Sequence, residues 1–362
     1  MYIYLIVFAI SIFLFYLSQR KVSVKYSFFI SNIFLFSSAI PLLLLSTLRD
    51  YSVGTDTLIY NALYNSLPVS FDDFIHELGI FKESSFLILE YIIKSSNFNY
   101  TIMLLVIAII IITLYFKAII ELSIKPELSL LLLLFLCFYT FHFNAARQGI
   151  TVAIFFYSIK YIISRDFKKY FIFILIGFNF HKTIILCLHT LYFLFNIKFS
   201  LLKSVIFILT VSVLSGMINY LVNFATANVD SRYFDFANAT DEGTGVFSSS
   251  VWIIIYLLFI FVKYINKIKS STYNLGLNLL TISVAISILS SFILHLPGSG
   301  ILRLTLYFNQ LAILMFPIAI YSFKNIMFRT LLFIFVVLSL SIYCYLYIYS
   351  LNGLYPYKLG II

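Results

Sequence analysis

Apolar runs of about 15 or more residues recur along this chain, each broken by a short polar stretch. That pattern marks a polytopic membrane protein built from helices. A span needs roughly 20 residues, fewer where tilt or bilayer thinning helps. Twelve spans are predicted, at 2–18, 27–48, 99–117, 127–143, 147–163, 169–181, 183–197, 202–222, 248–266, 274–295, 302–322 and 329–350. The halves of 169–197 are short, yet Lys168 and Lys169 precede the segment and Lys198 and Lys203 follow it. A single span would separate those basic pairs. A hairpin with its tip at Asn179-Phe180-His181-Lys182 keeps them together, and irregular backbone at that depth must be buried in protein or line a wet cavity. Two longer polar segments remain, 49–98 and 223–247. In the first, Phe71, Phe74, Ile75 and Leu78 follow helical spacing, with Asp72, Asp73 and Glu77 opposite. This predicts an interfacial amphipathic helix running on into a short, partly inserted helix at 84–94. No internal repeat or soluble domain is visible, so 1–362 reads as a single all-α membrane domain.

Charge gives the spans a direction. With the N-terminus outside and the spans alternating, Arg20, Lys21, Lys25, Lys117, Lys125, Lys160, Arg165, Lys168, Lys169, Lys198, Lys203, Lys263, Lys267, Lys269, Lys324 and Arg329 fall inside. That is the basic bias of cytoplasmic loops. Four arginines, Arg49, Arg147, Arg232 and Arg303, fall outside, where basic residues should be scarce. Arginines retained there suggest an anionic ligand. The composition agrees with a membrane protein: 62% hydrophobic, 10% charged, mean hydropathy +1.04. The net charge of +10 then reflects loops facing anionic headgroups and implies no nucleic-acid partner. Cys137, Cys187 and Cys344 lie within apolar runs and lack metal-ligand spacing. The start of the chain has no basic n-region, and Arg20, Lys21 and Lys25 follow the first run, which suggests a retained span rather than a cleaved signal.

Several positions carry chemistry. In FHFNAARQGI, Asn144 is expected to cap a descending helix, with Arg147 and Gln148 in its first turn. The N–H groups and dipole there favour an anion, and an arginine works against that dipole unless a ligand or carboxylate sits nearby. The plainer reading is an arginine snorkelling to headgroups. Arg303 repeats the design after the break at Pro297-Gly298-Ser299-Gly300, and the two together could offer a diphosphate a fork of guanidinium donors. Arg49 ends the second span, before Asp56 in a Gly-Thr-Asp-Thr turn. Asp50 and Asp56 either pair with Arg49, or leave it for phosphate while Asp56 orients a sugar hydroxyl or an arginine. His181 sits at the hairpin tip, where an ionisable group is by default functional. It is a general base, a hydrogen-bond donor to a diphosphate, or a structural closure of the tip. No His/Asp/Glu spacing suggests a metal site, and no cofactor is expected.

The pieces R-x4-GTDT-x2-Y (Arg49 to Tyr60, including Thr55), N-x2-RQG (Asn144 to Gly149), FH (Phe180-His181) and R-x3-YF (Arg303 to Phe308, including Tyr307) occur in order over most of the chain. They resemble the EpsG/Wzy-type polysaccharide polymerases, which act in bacterial O-antigen, capsule and exopolysaccharide assembly. The first two pieces are the more specific. The resemblance implies a helical bundle of the GT-C glycosyltransferase kind in the bacterial inner membrane, with its active site facing outward. It implies a metal-free, inverting transfer of glycan from an undecaprenyl-diphosphate carrier to another lipid-linked repeat unit, with membrane lipid and a chain-length regulator as further partners. Arg147 and Arg303, then Arg49, would meet the diphosphate, and His181 or Asp56 the acceptor. Arg232 is a weaker candidate. An O-antigen ligase performs nearly the same chemistry. A lipid-linked glycan flippase would spread its arginines along a pore, and an acyltransferase would leave the outer arginines unused.

Overall fold

A computed structural model describes all residues but 21–26, 79–82, 195, 214–244, 296–299, 352 and 361–362. Regular structure among the described residues is helical, apart from an isolated antiparallel bridge between Arg49 and Leu359. Helices α1 (Tyr2–Ser18) and α2 (Ser27–Thr47) come first, followed by short helices α3 (Thr57–Ser66), α4 (Phe71–Glu77) and α5 (Ser84–Ser95). Next are α6 (Tyr100–Leu122), α7 (Pro126–Phe135) with a 3-10 turn at Thr140–Phe143, α8 (Ala146–Ile163) and α9 (Phe167–Phe180) with a 3-10 segment at Lys182–Leu194. The chain continues with α10 (Leu201–Val213), α11 (Val246–Ile265), α12 (Ser271–Ser287) and a π-helical stretch at Ile288–Ile293. A 3-10 turn at Ile301–Leu304 leads into α13 (Thr305–Asn309), α14 (Ala312–Tyr321) and α15 (Ile326–Leu346). Side chains set many of the starts: Ser70, Asn99, Asp166, Ser270 and Asn325 each accept a backbone N–H from the first turn of the helix that follows.

Among the described residues, six helical stretches are long and apolar enough to cross a membrane, and a seventh forms if Ile301–Asn309 and Ala312–Tyr321, bent by 42°, make one broken span. The protein is therefore a polytopic, all-α membrane protein, but the expected twelve spans are not all long helices. Helix α1 has 17 residues, α9 has 14, and the predicted span at 183–197 is mostly 3-10 helix. The amphipathic helix expected from Phe71 and the short helix expected at 84–94 are α4 and α5, with 79–82 outside the described residues. Phe74 is buried and stacks on Tyr91 at 4.0 Å, while Phe71 and Ile75 stay exposed.

The described residues fall into two compact units, Met1–His189 with Asn325–Ile362, and Thr190–Lys324. In the first, α1 and α2 pair through Ser11 Oγ, which donates to the Ser38 carbonyl at 2.7 Å. Helix α6 packs on α2 and α8, and α8 packs on α9. The chain reverses at His181 as the hairpin reading expects. Ile184 packs on Gly177, where a Cβ would come within 2.4 Å of the Ile184 Cδ1, and the Tyr170 hydroxyl donates to the Cys187 carbonyl at 2.9 Å. In the second unit, α12 packs on α13 and α11, and buried hydroxyls tie helices together: Tyr256 to Thr281 at 2.8 Å and Ser283 to Asn309 at 2.5 Å. Hydrogen bonds of this kind supply association that lipid-facing apolar surface cannot.

The first unit has two chemically distinct ends. At one, Lys160 pairs with Glu121 at 2.8 Å and Lys169 with Asp166 at 2.9 Å. At the other lie Arg49, Arg147 and the C-terminal segment. Gly54 N–H donates to the Gly353 carbonyl at 3.0 Å, Asp50 N–H to Lys358 at 2.8 Å, and the Tyr4 hydroxyl to Leu354 at 2.8 Å. For Arg49 and Arg147 against Lys160 and Lys169, the split read from the sequence is a difference between two ends of this unit; Arg303 belongs to the second unit and Arg232 lies outside the described residues.

Candidate active site

The Gly-Thr-Asp-Thr turn docks directly on the segment before α8. Gly54 has φ +98°, and a Cβ there would lie 2.5 Å from the Phe143 carbonyl oxygen, so conformation and space both demand glycine. Thr55 N–H donates to Asn144 Oδ1 at 3.1 Å, and the Thr57 hydroxyl donates to the Phe143 carbonyl at 3.0 Å. Asn144 therefore does not cap α8 as expected. Its amide oxygen is committed to the turn, and Ala145 holds the cap position without a side-chain bond. The two more specific sequence pieces meet in one junction. Gly149 extends it, because a Cβ there would come within 2.5 Å of the His142 Cβ.

One consequence of this docking is where Tyr60 lies. It stands one turn after Asp56, and its ring faces the Arg147 guanidinium at 5.4 Å, with the Phe86 ring of α5 at 4.9 Å from the same carbon. Arg147 occupies the first turn of α8 as expected, and Gln148 beside it is buried. A carboxylate answers the unfavourable dipole: Arg147 Nη1 donates to Glu83 Oε2 at 2.9 Å. The snorkelling reading does not describe this arginine, since aromatic rings and an acid hold it. The other Glu83 oxygen faces His181 Nδ1 at hydrogen-bond range. Glu83 thus bridges an arginine and a histidine that lie 34 positions apart, with side-chain exposures of 23% for Arg147, 15% for Glu83 and 26% for His181. Burial works to raise the Glu83 carboxyl, but hydrogen bonds and charge from His181 and Arg147 outweigh it and hold the group below the ordinary glutamate range.

Helix α5 brings a second acid. Glu90 is 1% exposed, and among the described residues its Oε1 has no hydrogen-bond partner; the buried Arg147 Nε also has none there. Burial raises the Glu90 carboxyl to about 7, and the Arg147 charge offsets this only in part. Sequence reading gave neither glutamate a role. Glu90 did carry a signal, since it shares the spacing of Phe86 and Ile93 on the buried face of α5.

The remaining candidates are dispersed. Arg49 is 3% exposed and lies over the Phe143 ring at 4.1 Å. Its Nη1 donates to the Ser46 carbonyl and hydroxyl, and the Ser46 hydroxyl meets His142 Nε2 at 3.0 Å. Neither Asp50 nor Asp56 pairs with it: Asp50 accepts from Ser52 N–H at 2.9 Å, and Asp56 accepts from the Thr55 hydroxyl at 2.9 Å. A pocket of about 40 Å³, the size of a water site, is lined by Thr47, Arg49, Asp50, Tyr51 and Thr101 among others. Arg303 and Tyr307 belong to the second unit. Arg303 lies in a 3-10 turn rather than the first turn of an α-helix, with its N–H donated to Gly300 at 3.1 Å, and Tyr307 is buried in α13. Arg232, most of the loop 223–247 and Pro297 to Ser299 lie outside the described residues.

Comparison with known proteins adds a family. No curated protein and no solved structure matches this chain. A family model does match, over residues 32–359, which takes in the turn, the Arg147 segment, His181 and Arg303. The chain belongs to the EpsG family, the family of Wzy-type polysaccharide polymerases.

Proposed function

We propose that this protein is a membrane glycosyltransferase that joins lipid-linked repeat units into polysaccharide at the outer face of the bacterial inner membrane. The donor is a glycan on undecaprenyl diphosphate and the acceptor is the non-reducing end of another such unit. A helical bundle of the GT-C kind is the architecture this reading carries with it. The acceptor hydroxyl oxygen attacks the anomeric carbon, the bond from that carbon to the phosphate oxygen breaks, and the lipid diphosphate leaves with the electron pair. The hydroxyl proton passes to a base, His181 or Asp56. Arg147 stabilises charge growing on the diphosphate, the electrostatic contribution that usually weighs most in such reactions. Arg303 enters by its sequence piece alone, and Arg49, buried beneath Phe143, supports the turn that sets Tyr60 against Arg147.

The observation that carries this reading is the Arg147 site itself. Family-matching pieces from three parts of the chain converge on a half-buried guanidinium, with a histidine bridged to it through one carboxylate. Replacing Arg147 by alanine in the native host should cut chain extension by about 10²-fold or more. Glycan extracts should then carry single repeat units without the ladder of longer chains. A full ladder from Arg147→Ala would remove the diphosphate role. A ligase or a flippase would instead lose the attached single unit together with the ladder.

A further inference from the structure

We infer that Glu83 is a positioning residue that fixes His181 in the Nδ1–H tautomer and so presents its Nε2 as the base for the acceptor hydroxyl. This rests on the polymerase reading for the identity of the hydroxyl, but not for the geometry. Glu83 is an ionised carboxylate and can only accept, so the hydrogen shared with His181 Nδ1 belongs to the ring. A neutral imidazole with Nδ1 protonated carries its lone pair on Nε2, and that atom has no hydrogen-bond partner among the described residues.

The backbone supports the same assignment. His181 follows the last residue of α9 in an extended conformation, its N–H donated to the Gly177 carbonyl at 2.9 Å. The ring therefore stands at a helix C-terminus, the negative end of the helix dipole. Glu83 precedes the first residue of α5, a helix N-terminus that favours its negative charge. Arg147 holds the second carboxylate oxygen at 2.9 Å and leaves Glu83 little freedom to turn away from the ring. The arginine that meets the donor thus also anchors the group that orients the base. In the reaction the O–H bond of the acceptor breaks, its proton bonds to Nε2, and the imidazolium is held between Glu83 and the end of α9.

The test reads the tautomer directly and needs no substrate. Protein labelled with ¹⁵N and ¹³C histidine, in detergent micelles, gives five side-chain signals, and His181 is the one lost in His181→Gln. At a pH where the rings are neutral, wild-type His181 should be almost wholly Nδ1–H. Glu83→Ala should shift it mainly to the Nε2–H form usual for free imidazole, and Arg147→Ala should leave it mostly Nδ1–H. A wild-type ring in the Nε2–H form, or one indifferent to Glu83→Ala, overturns the inference. The wild-type spectrum alone decides if Glu83→Ala does not fold. In the host, Glu83→Ala should lower chain extension by about 10²-fold or more, and Glu83→Asp should recover part of it. A correct tautomer with no loss of polymer in Glu83→Ala would also overturn the role, while an Nδ1–H ring in a protein that makes no polymer would count against the polymerase reading alone.

Discussion

Glu90 shows how one residue in this site opposes folding. Its carboxyl is buried, one oxygen lacks a partner among the described residues, and burial raises it from the ordinary 4.5 to about 7. The folded protein therefore holds a proton that the unfolded chain releases between those values. Stability falls as pH rises from about 4.5 to about 7, and the penalty, roughly 3 kcal/mol, is complete above that range. Glu90→Gln keeps the shape without the charge. It should melt several degrees above wild type at about pH 8 and close to wild type at about pH 5, measured by circular dichroism in micelles. An equal difference at both pH values would mean that ionisation is not the cause. Arg147 and His181 were legible in the sequence because Arg147 sits in the first turn of a helix, where its charge opposes the dipole, and His181 sits at a break inside the apolar segment 169–197. Glu83 was not, since an acid in an outer segment is ordinarily a solvated one. Its burial depends on α5 packing against α9 and α6, contacts that no local period encodes.

At the scale of elements, the junction between the turn at 53–57 and the segment at 143–149 decides whether the site forms. Two substitutions probe it from opposite sides. Gly54→Ala places a side chain at φ +98° and drives a methyl into the Phe143 carbonyl, at a cost of about 2–4 kcal/mol. Asn144→Ala leaves the Thr55 N–H without its acceptor, at a cost of about 1–2 kcal/mol. Both changes break the same docking, so the double variant should lose less than the two single losses added together. Strict additivity in thermal unfolding would show that the turn and the segment are independent. The hairpin at His181 was legible because basic residues flank it on both sides. The role of Asn144 was not, since an asparagine before a helix reads as a cap until a distant turn competes for its oxygen. The span count failed for a related reason. Hydropathy registers apolar length, but only packing decides whether a 15-residue stretch becomes an α-helix or the 3-10 segment found at Lys182–Leu194.

For the molecule as a whole, the chemistry depends on which end of the first unit faces outward. Lipid-linked repeat units joined at the outer face require the arginine end there and the lysine end in the cytoplasm, the direction that anionic headgroups favour for Lys160, Lys168 and Lys169. Asp72 on α4 belongs to the chain between Arg49 and Tyr100 at the arginine end, and Lys168 belongs to the lysine end; both side chains are exposed. The native cysteines Cys137, Cys187 and Cys344 are buried thiols, so they contribute little background to thiol labelling. In intact cells, Asp72→Cys should react with a membrane-impermeant maleimide, and Lys168→Cys should react only after permeabilisation. The reverse pattern would place Arg147, Glu83 and His181 in the cytoplasm. The paired glutamate, arginine and histidine would then still form one bridged site, but its anionic ligand would have to be a cytoplasmic one, and outer-face polymerisation would be excluded for this chain.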